Sequence, residues 1–376
     1  MNILILTHSY PDEKSSWKGA FIREQARTLS LLHDITVVHF EVDYSRLAPF
    51  SRYRFIEKSD GPIKIYKVTT SRSFPVINQL KYLSDTFSFI RNEILNKKQI
   101  DIIHSHFAYP AGFLGTMIRR RKKIPDILTE HTWVKKYFRS FIHKFCVLTA
   151  LRKASVLIAV SNALKENISG FCTREVEVIP NVIDFEKFIV RKKERADVVN
   201  LGILGGMSNY RKGLDILLKS ISLIDKTGIK LHIGGAGIHL EKFKQLARDL
   251  GVYENCIFYG EIAPEQINNF YSAIDVFVLS SRDETFGVVV IEAMACGLPV
   301  VATRCGGPQE IVTPETGVLV PVEDPEELAK AIISVSNNLE SYDPVKIKEY
   351  ASSRYGQASY NEKVDSLYRK AVQDKS

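Results

Sequence analysis

At 376 residues, 45% apolar and 25% charged, the chain is too long for one ordinary core and too apolar for a disordered polymer, so two globular domains are expected. Five cysteines without a C-x-x-C pair argue against a disulfide framework or a zinc site, and no apolar run approaches the roughly 20 residues that span a bilayer. The net charge of +8 is uneven: residues 1–182 hold 28 Lys+Arg against 16 Asp+Glu, and residues 183–376 hold 23 against 27. The first half therefore either faces something anionic (a membrane, a nucleic acid, a phosphorylated substrate) or carries a solvated basic face.

MNILILTHSY enters directly as an apolar strand, with no signal peptide ahead of it, so a soluble cytoplasmic protein is expected. Strands are predicted at Asn2–Thr7 and Asp34–His39 with a helix from about Gly19 to Leu31 between them. Further strands are expected at Ile63–Val68, Ile100–His104, Asp126–Thr129, Ser155–Val160 and Glu175–Ile179. The basic stretches RRRKK at 119–123 and KKYFRSFIHKFCVLTALRK at 135–153 fall among them, the second with apolar residues at helical spacing. It reads either as a helix with a solvated face or as an interfacial helix on anionic lipid. The polar segment Asn181–Ala196 is a candidate linker.

Beyond it the alternation repeats, with strands at Val198–Leu204, Ile229–Ile233, Cys256–Tyr259, Ala273–Leu279, Pro299–Thr303 and Gly317–Val320. Helices are expected at Gly213–Ile224, Ile238–Leu250 and Pro325–Ser334, and an amphipathic one at Gln357–Lys375 after the break at Tyr355–Gly356. Two runs of βαβ units imply two parallel sheets, whose ligands bind outside the carboxyl ends of the strands.

RDETFGVVVIEAMACGLPVVAT, residues 282–303, is the densest signal. Ser280–Thr285 is then a loop at a strand's carboxyl end, and Phe286–Gly287 opens a helix that runs to about Cys296, with Gly297 and Pro299 as stop signals. The free N–H groups of Gly287, Val288 and Val289 at the dipole-positive end make an anion site. Glu292 lies deeper, among residues so apolar that this helix is expected to be buried all round. A buried carboxylate needs donors, either from the protein or from ligand hydroxyls. Glu284 ahead of the helix would reach a second part of the same ligand. Hydroxyls, an anion and more hydroxyls describe a nucleotide-sugar.

The Glu-x7-Glu spacing in ETFGVVVIEAMACGLPVVAT, followed by GGPQEIV, resembles the donor-site signature of glycosyltransferase family 4, retaining enzymes of the GT-B fold. FYSAIDVFVLSSRDE, LHIGGAG, AVSNALKENI and VIPNVIDFEKF fit the same pattern in order, so the resemblance covers nearly the whole chain. HSYPDEKSSWKGAFIREQARTL and HSHFAYPAGFLG resemble first-domain loops of members that build bacterial surface polysaccharides.

The resemblance implies an α/β architecture of two Rossmann-like doubly wound domains facing across a cleft. Residues 1–182 with the C-terminal helix (about 357–376) would bind the acceptor, and 183–356 the UDP- or GDP-sugar. It implies ribose binding by Glu292, the transferred sugar held by Glu284, Thr285 and the Phe286–Gly287 backbone, and ribose or phosphate near the Val288 and Val289 amides. Lys212 in NYRKGLD and the amide of Gly19 would serve the diphosphate, Glu261 and Ile262 the base, and His106 the reacting sugar carbon. Where many members carry Gly-Arg six residues before that lysine, this chain has Gly205–Gly206, so Arg211 takes over the charge or the site has one cation fewer.

No D-x-D motif stands in a convincing site, so no metal and no cofactor is expected; Lys212 and the helix mouth would meet the leaving-group charge. The expected acceptor is a glycan or polyprenyl-linked, with peripheral contact to the inner face of the plasma membrane and no nucleic acid. His106 also has a structural reading, His104 is expected to be structural, and His8 and His131 stay open. Cys296 and Cys305 read as packing residues. Rival readings are a nucleotide-sugar 2-epimerase of the same fold, a pyridoxal-dependent phosphorylase, for which no lysine signal stands out, and a non-catalytic basic nucleic-acid-binding protein.

Overall fold

The structure, a computed structural model, describes residues 1–13, 15–47, 53–72, 78–190 and 197–374. Runs rich in Ile, Val and Leu, most of them followed by a helical segment, build two doubly wound sheets. The chain divides into two compact units, one of Met1–Val182 with Gln357–Ser376 and one of Ile183–Gly356.

The first unit holds strands β1 (Asn2–Thr7), β2 (Asp34–Leu47), β3 (Arg54–Asp60), β4 (Ile63–Arg72), β5 (Ile102–His106), β6 (Asp126–Glu130), β7 (Val156–Ala159) and β8 (Glu177–Val178). Their order is β3-β4-β2-β1-β5-β6-β7-β8, parallel throughout except for the β3–β4 hairpin. The sequence reading missed β3. Its residues are almost all exposed at the sheet edge, so no buried-strand pattern marks it. Helices α1 (Ala20–Leu29), α2 (Asn78–Phe89), α3 (Phe113–Lys122), α4 (Phe141–Lys153) and α5 (Asn162–Ser169) accompany these strands.

The second unit holds β9 (Val199–Leu204), β10 (Ile229–Gly234), β11 (Cys256–Gly260), β12 (Val276–Leu279), β13 (Val300–Thr303) and β14 (Gly317–Val320), all parallel in the order β11-β10-β9-β12-β13-β14. Its helices are α6 (Leu214–Ser222), α7 (Leu240–Asp249), α8 (Ile267–Ala273), α9 (Val288–Ala295), α10 (Pro308–Ile311), α11 (Pro325–Asn337) and α12 (Pro344–Tyr355). Helix α13 (Gln357–Gln373) returns to the first unit and buries Tyr360, Val364 and Tyr368 against Ile22, Ala26 and Leu29 of α1. Beneath it Tyr360 Oη donates to Gln25 Oε1 (3.0 Å) and Gln25 Nε2 to Asn181 Oδ1 (2.7 Å), so the buried polar groups are paired.

Both sheets reverse strand order at one point, between β1 and β5 in the first unit and between β9 and β12 in the second. Loops diverge there and leave a crevice at the carboxyl ends, the general ligand position of this architecture.

Two expectations are corrected. The basic stretch 135–153 is not one helix: a 3₁₀ turn at Val134–Tyr137 ends, and α4 starts at Phe141 because the Ser140 hydroxyl caps it, accepting from the His143 N–H at 3.2 Å. The supposed linker Asn181–Ala196 begins as core, with Val182, Ile183, Phe185 and Phe188 buried, since over 181–190 apolar residues outnumber charges; residues 191–196 lie outside the described residues. Among the described residues no helix is long and apolar enough to cross a membrane.

Candidate active site

In the second unit, the two loops that diverge from β9 and β12 meet side chain to side chain. After β9 the chain passes Gly205 and Gly206 into a 3₁₀ turn, Tyr210–Lys212, capped by Asn209, whose Oδ1 accepts from the Arg211 N–H at 3.0 Å. Gly213 then turns through φ 66° into α6, and a Cβ there would lie 1.8 Å from the Ser280 carbonyl oxygen. Only glycine allows that approach. Ser280 Oγ sits within reach of the Gly213 carbonyl (2.8 Å) and the Lys212 carbonyl (3.1 Å), which ties the two loops together.

This geometry carries Lys212 Nζ to 2.5 Å from Glu284 Oε1. Ser281 Oγ donates to the same oxygen at 3.0 Å, and Arg211 Nη1 lies 3.9 Å from Oε2 and 3.8 Å from Asp283. The Glu284 backbone is fixed on both sides by the loop after β13, its N–H donating to Cys305 O (2.8 Å) and its carbonyl accepting from Gly307 N–H (2.9 Å). With side chains only 18% and 8% exposed, the Lys212–Glu284 pair is screened by little water and is held by a rigid frame.

Gly287 caps α9 at φ 107°, and the Val290 N–H already bonds the Gly287 carbonyl (2.9 Å). The amides ahead of it have no partner within the helix, as at any helix N-terminus. The helix is not buried all round, as its apolar sequence suggested. Val288, Val289 and Glu292 are half-buried, while Val290, Ile291, Ala293 and Met294 are buried. The three share one face by helical spacing, so α9 leaves an open stripe running from its mouth to Glu292.

Glu292 also has a protein donor, which the sequence reading left open. Tyr271 of α8, fully buried, donates its hydroxyl to Glu292 Oε2 at 2.8 Å. Burial and the neighbouring Glu292 charge hold the Tyr271 hydroxyl well above its usual pKa, so it remains a donor. The signal for it was indirect: a buried tyrosine and a helical carboxylate each require a partner, but 21 residues separate them.

Glu261 is exposed and Ile262 half-buried after β11, and the Ile262 side chain packs close over Gly234 at the glycine turn after β10. Gly206 is exposed, and a Cβ there would meet nothing within 4 Å, so the fold accommodates an arginine where this chain has none. Arg211 is turned instead toward Asp283 and Glu284. A cavity of about 1490 Å³ opens at the opposite end of this sheet, by Val199, Ile229, Asp275 and Pro299. It lies where strands begin, away from the end where such sheets bind ligands. Cys296 and Cys305 are buried, which pushes their thiols up to about 12 and about 11 and fits their reading as packing residues.

In the first unit the loops after β1, β5 and β6 gather His8, Phe107 and His131 around Phe21 of α1, with His8 and Phe107 rings 4.6 Å apart and Phe21 and His131 4.8 Å apart. Gly19 caps α1 at φ 71°, and a Cβ there would lie 2.4 Å from the Ser9 carbonyl oxygen. His106 is not in a loop after the strand, as expected, but is the last residue of β5, two residues and one face along from His104. It is fully buried, stacks on His104 at 4.6 Å, and its Nδ1 lies 3.0 Å from His131 Nε2.

His104 is structural, with Nδ1 at 2.6 Å from Tyr368 Oη and Nε2 at 2.7 Å from Thr129 Oγ1. Among the described residues His106 Nε2 and His131 Nδ1 are buried without a partner. Burial holds His104 and His131 down to about 3, His8 to about 4 and His106 well below its usual value, so all four rings are neutral near pH 7.

Sequence reasoning missed Glu130. Fully buried at the end of β6, it accepts from the Ala108 N–H (2.7 Å), the His131 and Thr132 N–H groups (2.8 Å each) and Tyr137 Oη (2.8 Å). One carboxylate thus pins the loops after β5 and β6, and burial raises it to about 7 despite the four donors. Among the described residues no group of three or more His, Cys, Asp or Glu could hold a metal ion.

Comparison with known proteins identifies the family and the fold. The family model "Glycosyltransferase Family 4" matches residues 19–187, and "Glycosyl transferases group 1" matches residues 185–354. An uncharacterised glycosyltransferase of Methanocaldococcus jannaschii is 30% identical over 263 residues, covering 69% of this chain and 72% of that protein. Among solved structures, the sucrose-phosphate synthase of Thermosynechococcus elongatus superposes with a TM-score of 0.82 at 20% identity, covering 99% of each chain. Anabaena HepE in complex with UDP and glucose superposes at 0.76 and 19% identity, covering 97% of this chain and 98% of that one. The chain is a glycosyltransferase: it belongs to glycosyltransferase family 4 and has the α/β GT-B fold.

Proposed function

We propose that this enzyme transfers a hexose-type sugar from a UDP- or GDP-sugar to a glycan or polyprenyl-linked acceptor, with retention of anomeric configuration, in the assembly of bacterial surface polysaccharide. The observation that carries the reading is the Lys212–Glu284 pair, 2.5 Å apart at the β9/β12 strand reversal and just ahead of the open face of α9. A cation, an anion-attracting helix mouth and two carboxylate acceptors on one side of a sheet suit a diphosphate flanked by hydroxyl-bearing groups. The UDP and glucose bound by the Anabaena structure support a nucleotide-sugar as the ligand class.

In this reading the second unit binds the donor. Glu292, steadied by Tyr271, accepts from ribose hydroxyls; Glu284, Thr285 and the Phe286–Gly287 backbone hold the transferred sugar. Glu261 and Ile262 flank the base, and Gly206 leaves open space at the phosphates. Lys212, with Arg211 beside it, exchanges part of its contact with Glu284 for the diphosphate and neutralises charge as the sugar–phosphate bond breaks. Stabilisation of that kind lowers a barrier by several kcal/mol.

The first unit binds the acceptor; the Gly19 amide is assigned to the diphosphate, and His106, although fully buried at the end of β5, to the reacting sugar carbon. The acceptor hydroxyl attacks from the face that the phosphate leaves, and its proton passes to the departing phosphate oxygen. No metal takes part in this scheme, so a chelator leaves turnover unchanged. The exposed Phe141 and Phe145 (84% and 56%) on α4, beside Arg139 and Lys144, suit contact with an anionic bilayer that presents the acceptor.

Incubation with UDP- and GDP-sugars and a lipid-linked acceptor, followed by NMR of the product, tests the chemistry. An α-linked product from an α-linked donor is expected; inversion overturns the mechanism. Conversion of the donor to its epimer without an acceptor favours the epimerase reading, and salt-sensitive DNA binding without donor turnover favours the nucleic-acid reading. Flotation with anionic and neutral vesicles tests the membrane contact, which equal binding or no binding contradicts.

A further inference from the structure

Arg282 has no assigned part in binding the donor, yet it is the most heavily bonded cation around the site. Its Nη1 and Nη2 donate to Asp215 Oδ1 and Oδ2 at 2.9 Å each, and Nη1 also donates to the Tyr210 carbonyl. Its Nε donates to Glu323 Oε1 at 2.7 Å, just beyond β14, and its backbone N–H donates to the Arg211 carbonyl at 2.8 Å. These partners bracket one residue. Tyr210 and Arg211 immediately precede Lys212, and Asp215 follows it in the first turn of α6. At its other end Arg282 stands two residues before Glu284.

We propose that Arg282 is the positioning residue of this active site, a clamp that holds the Lys212 turn against the Glu284 loop so that the cation stands ready for the leaving diphosphate. The proposal rests on the reading of Lys212 and Glu284 given above. Partners from the loop after β9, the first turn of α6 and the loop after β14 converge on one side chain carried by the loop after β12, which needs a planar fork with separate donors. Arginine supplies five donors in fixed directions, whereas lysine supplies three from one point and does not span the same partners.

The clamp sits at the edge of the core, with the Asp215 side chain 12% exposed. The Arg282 side chain is 28% exposed and Glu323 63% exposed. If the guanidinium is removed, Asp215 still lies in the first turn of α6, where a helix N-terminus favours negative charge. Without the guanidinium the Lys212 turn keeps only the Ser280 contacts, the residue-282 backbone N–H and the bond to Glu284, so it is held less tightly. A misplacement of about 1 Å at a reacting group costs on the order of 100-fold in rate.

The test compares Arg282→Ala, Arg282→Lys and Asp215→Asn, together with the Asp215→Asn/Arg282→Ala double variant, by two readouts. The first is steady-state turnover of UDP- and GDP-sugars. The second is hydrogen exchange of the backbone amides of residues 209–216 in the ligand-free protein. Arg282→Ala is expected to lower kcat by about 100-fold with a smaller change in KM. Arg282→Lys recovers only part of it, and the double variant is no worse than Arg282→Ala because both act through one contact. Exchange in 209–216 speeds up while that of β9 and β12 does not.

Unchanged kcat with unchanged exchange overturns the proposal. So does a loss that tracks only a lower melting temperature and vanishes well below it. If Arg282→Ala does not fold, the lysine and asparagine variants decide on the same readouts. If the wild-type enzyme turns over neither nucleotide class, the functional reading fails, and the exchange data still decide whether Arg282 holds the turn.

Discussion

Replacing Tyr271 with Phe removes one hydroxyl that lies 2.8 Å from Glu292 Oε2 and 3.2 Å from the Val289 carbonyl, and tests whether Glu292 is a held acceptor or a free surface charge. The lost bond is 2.8 Å long and reaches a carboxylate. Hydrogen bonds to charged groups contribute about 1.5–3 kcal/mol. Glu292 is half-buried, so water replaces part of the bond and the cost falls at the lower end, about 1.5 kcal/mol. For a unit of this size, each kcal/mol shifts the melting temperature by roughly 2–4 °C, so a drop of about 3–6 °C is expected.

The same loss frees the carboxylate to rotate. Nucleotide affinity is then expected to fall about tenfold, the equivalent of ~1.4 kcal/mol. Differential scanning calorimetry and titration of UDP and GDP by calorimetry measure the two quantities on one preparation. A Phe variant that melts within about 1 °C of wild type and binds nucleotide equally well refutes the reasoning. The hydroxyl would then not be what orients Glu292.

Two further predictions concern stability and loop geometry. The buried rings of His8, His39, His104, His106 and His131 all have depressed pKa values, so each takes up a proton on unfolding; their contribution is complete above about pH 6.5 and is lost as pH falls toward the folded values. Glu130, raised to about 7, acts in the opposite sense, losing its contribution as pH rises through about 7. Asp126, also raised by burial, acts in the same sense as Glu130; five rings outweigh these two carboxyls, at about 1.4 kcal/mol per pH unit for each, so the first unit destabilises from pH 7 to pH 5. Both tryptophans, Trp17 and Trp133, lie in that unit, so their fluorescence follows its unfolding; equal or greater stability at pH 5 contradicts the assignment. Gly213→Ala drives a Cβ against the Ser280 carbonyl oxygen and strains a φ of 66°, so it is expected to cost at least ~2 kcal/mol and to lower kcat, while a near-neutral result means the loops part easily.

The parallel strands of both sheets were legible because fully buried strands read as unbroken Ile, Val and Leu runs such as NILILT and VFVL. The site was legible to the extent that its parts lie close in the chain. Glu284, Gly287 and Glu292 fall within one loop and helix, and their spacing alone puts a helix N-terminus between two carboxylates. Partnerships across the fold were not legible. Tyr271 reaches Glu292 from another helix, and Glu130 pins the Ala108 loop from 22 residues away. The exposed strand β3 and the start of α4 at Ser140 were missed for a related reason: a surface edge and a single cap leave little periodic trace.

The central claim is that Glu292 and Glu284 serve different parts of one nucleotide-sugar, and titration of free UDP and GDP into Glu292→Ala and Glu284→Ala tests it most directly. Glu292→Ala is expected to lose affinity for the free nucleotide at least tenfold, while Glu284→Ala binds it nearly as well as wild type but fails to transfer sugar. Equal losses of nucleotide affinity in the two variants, or none in either, contradict it.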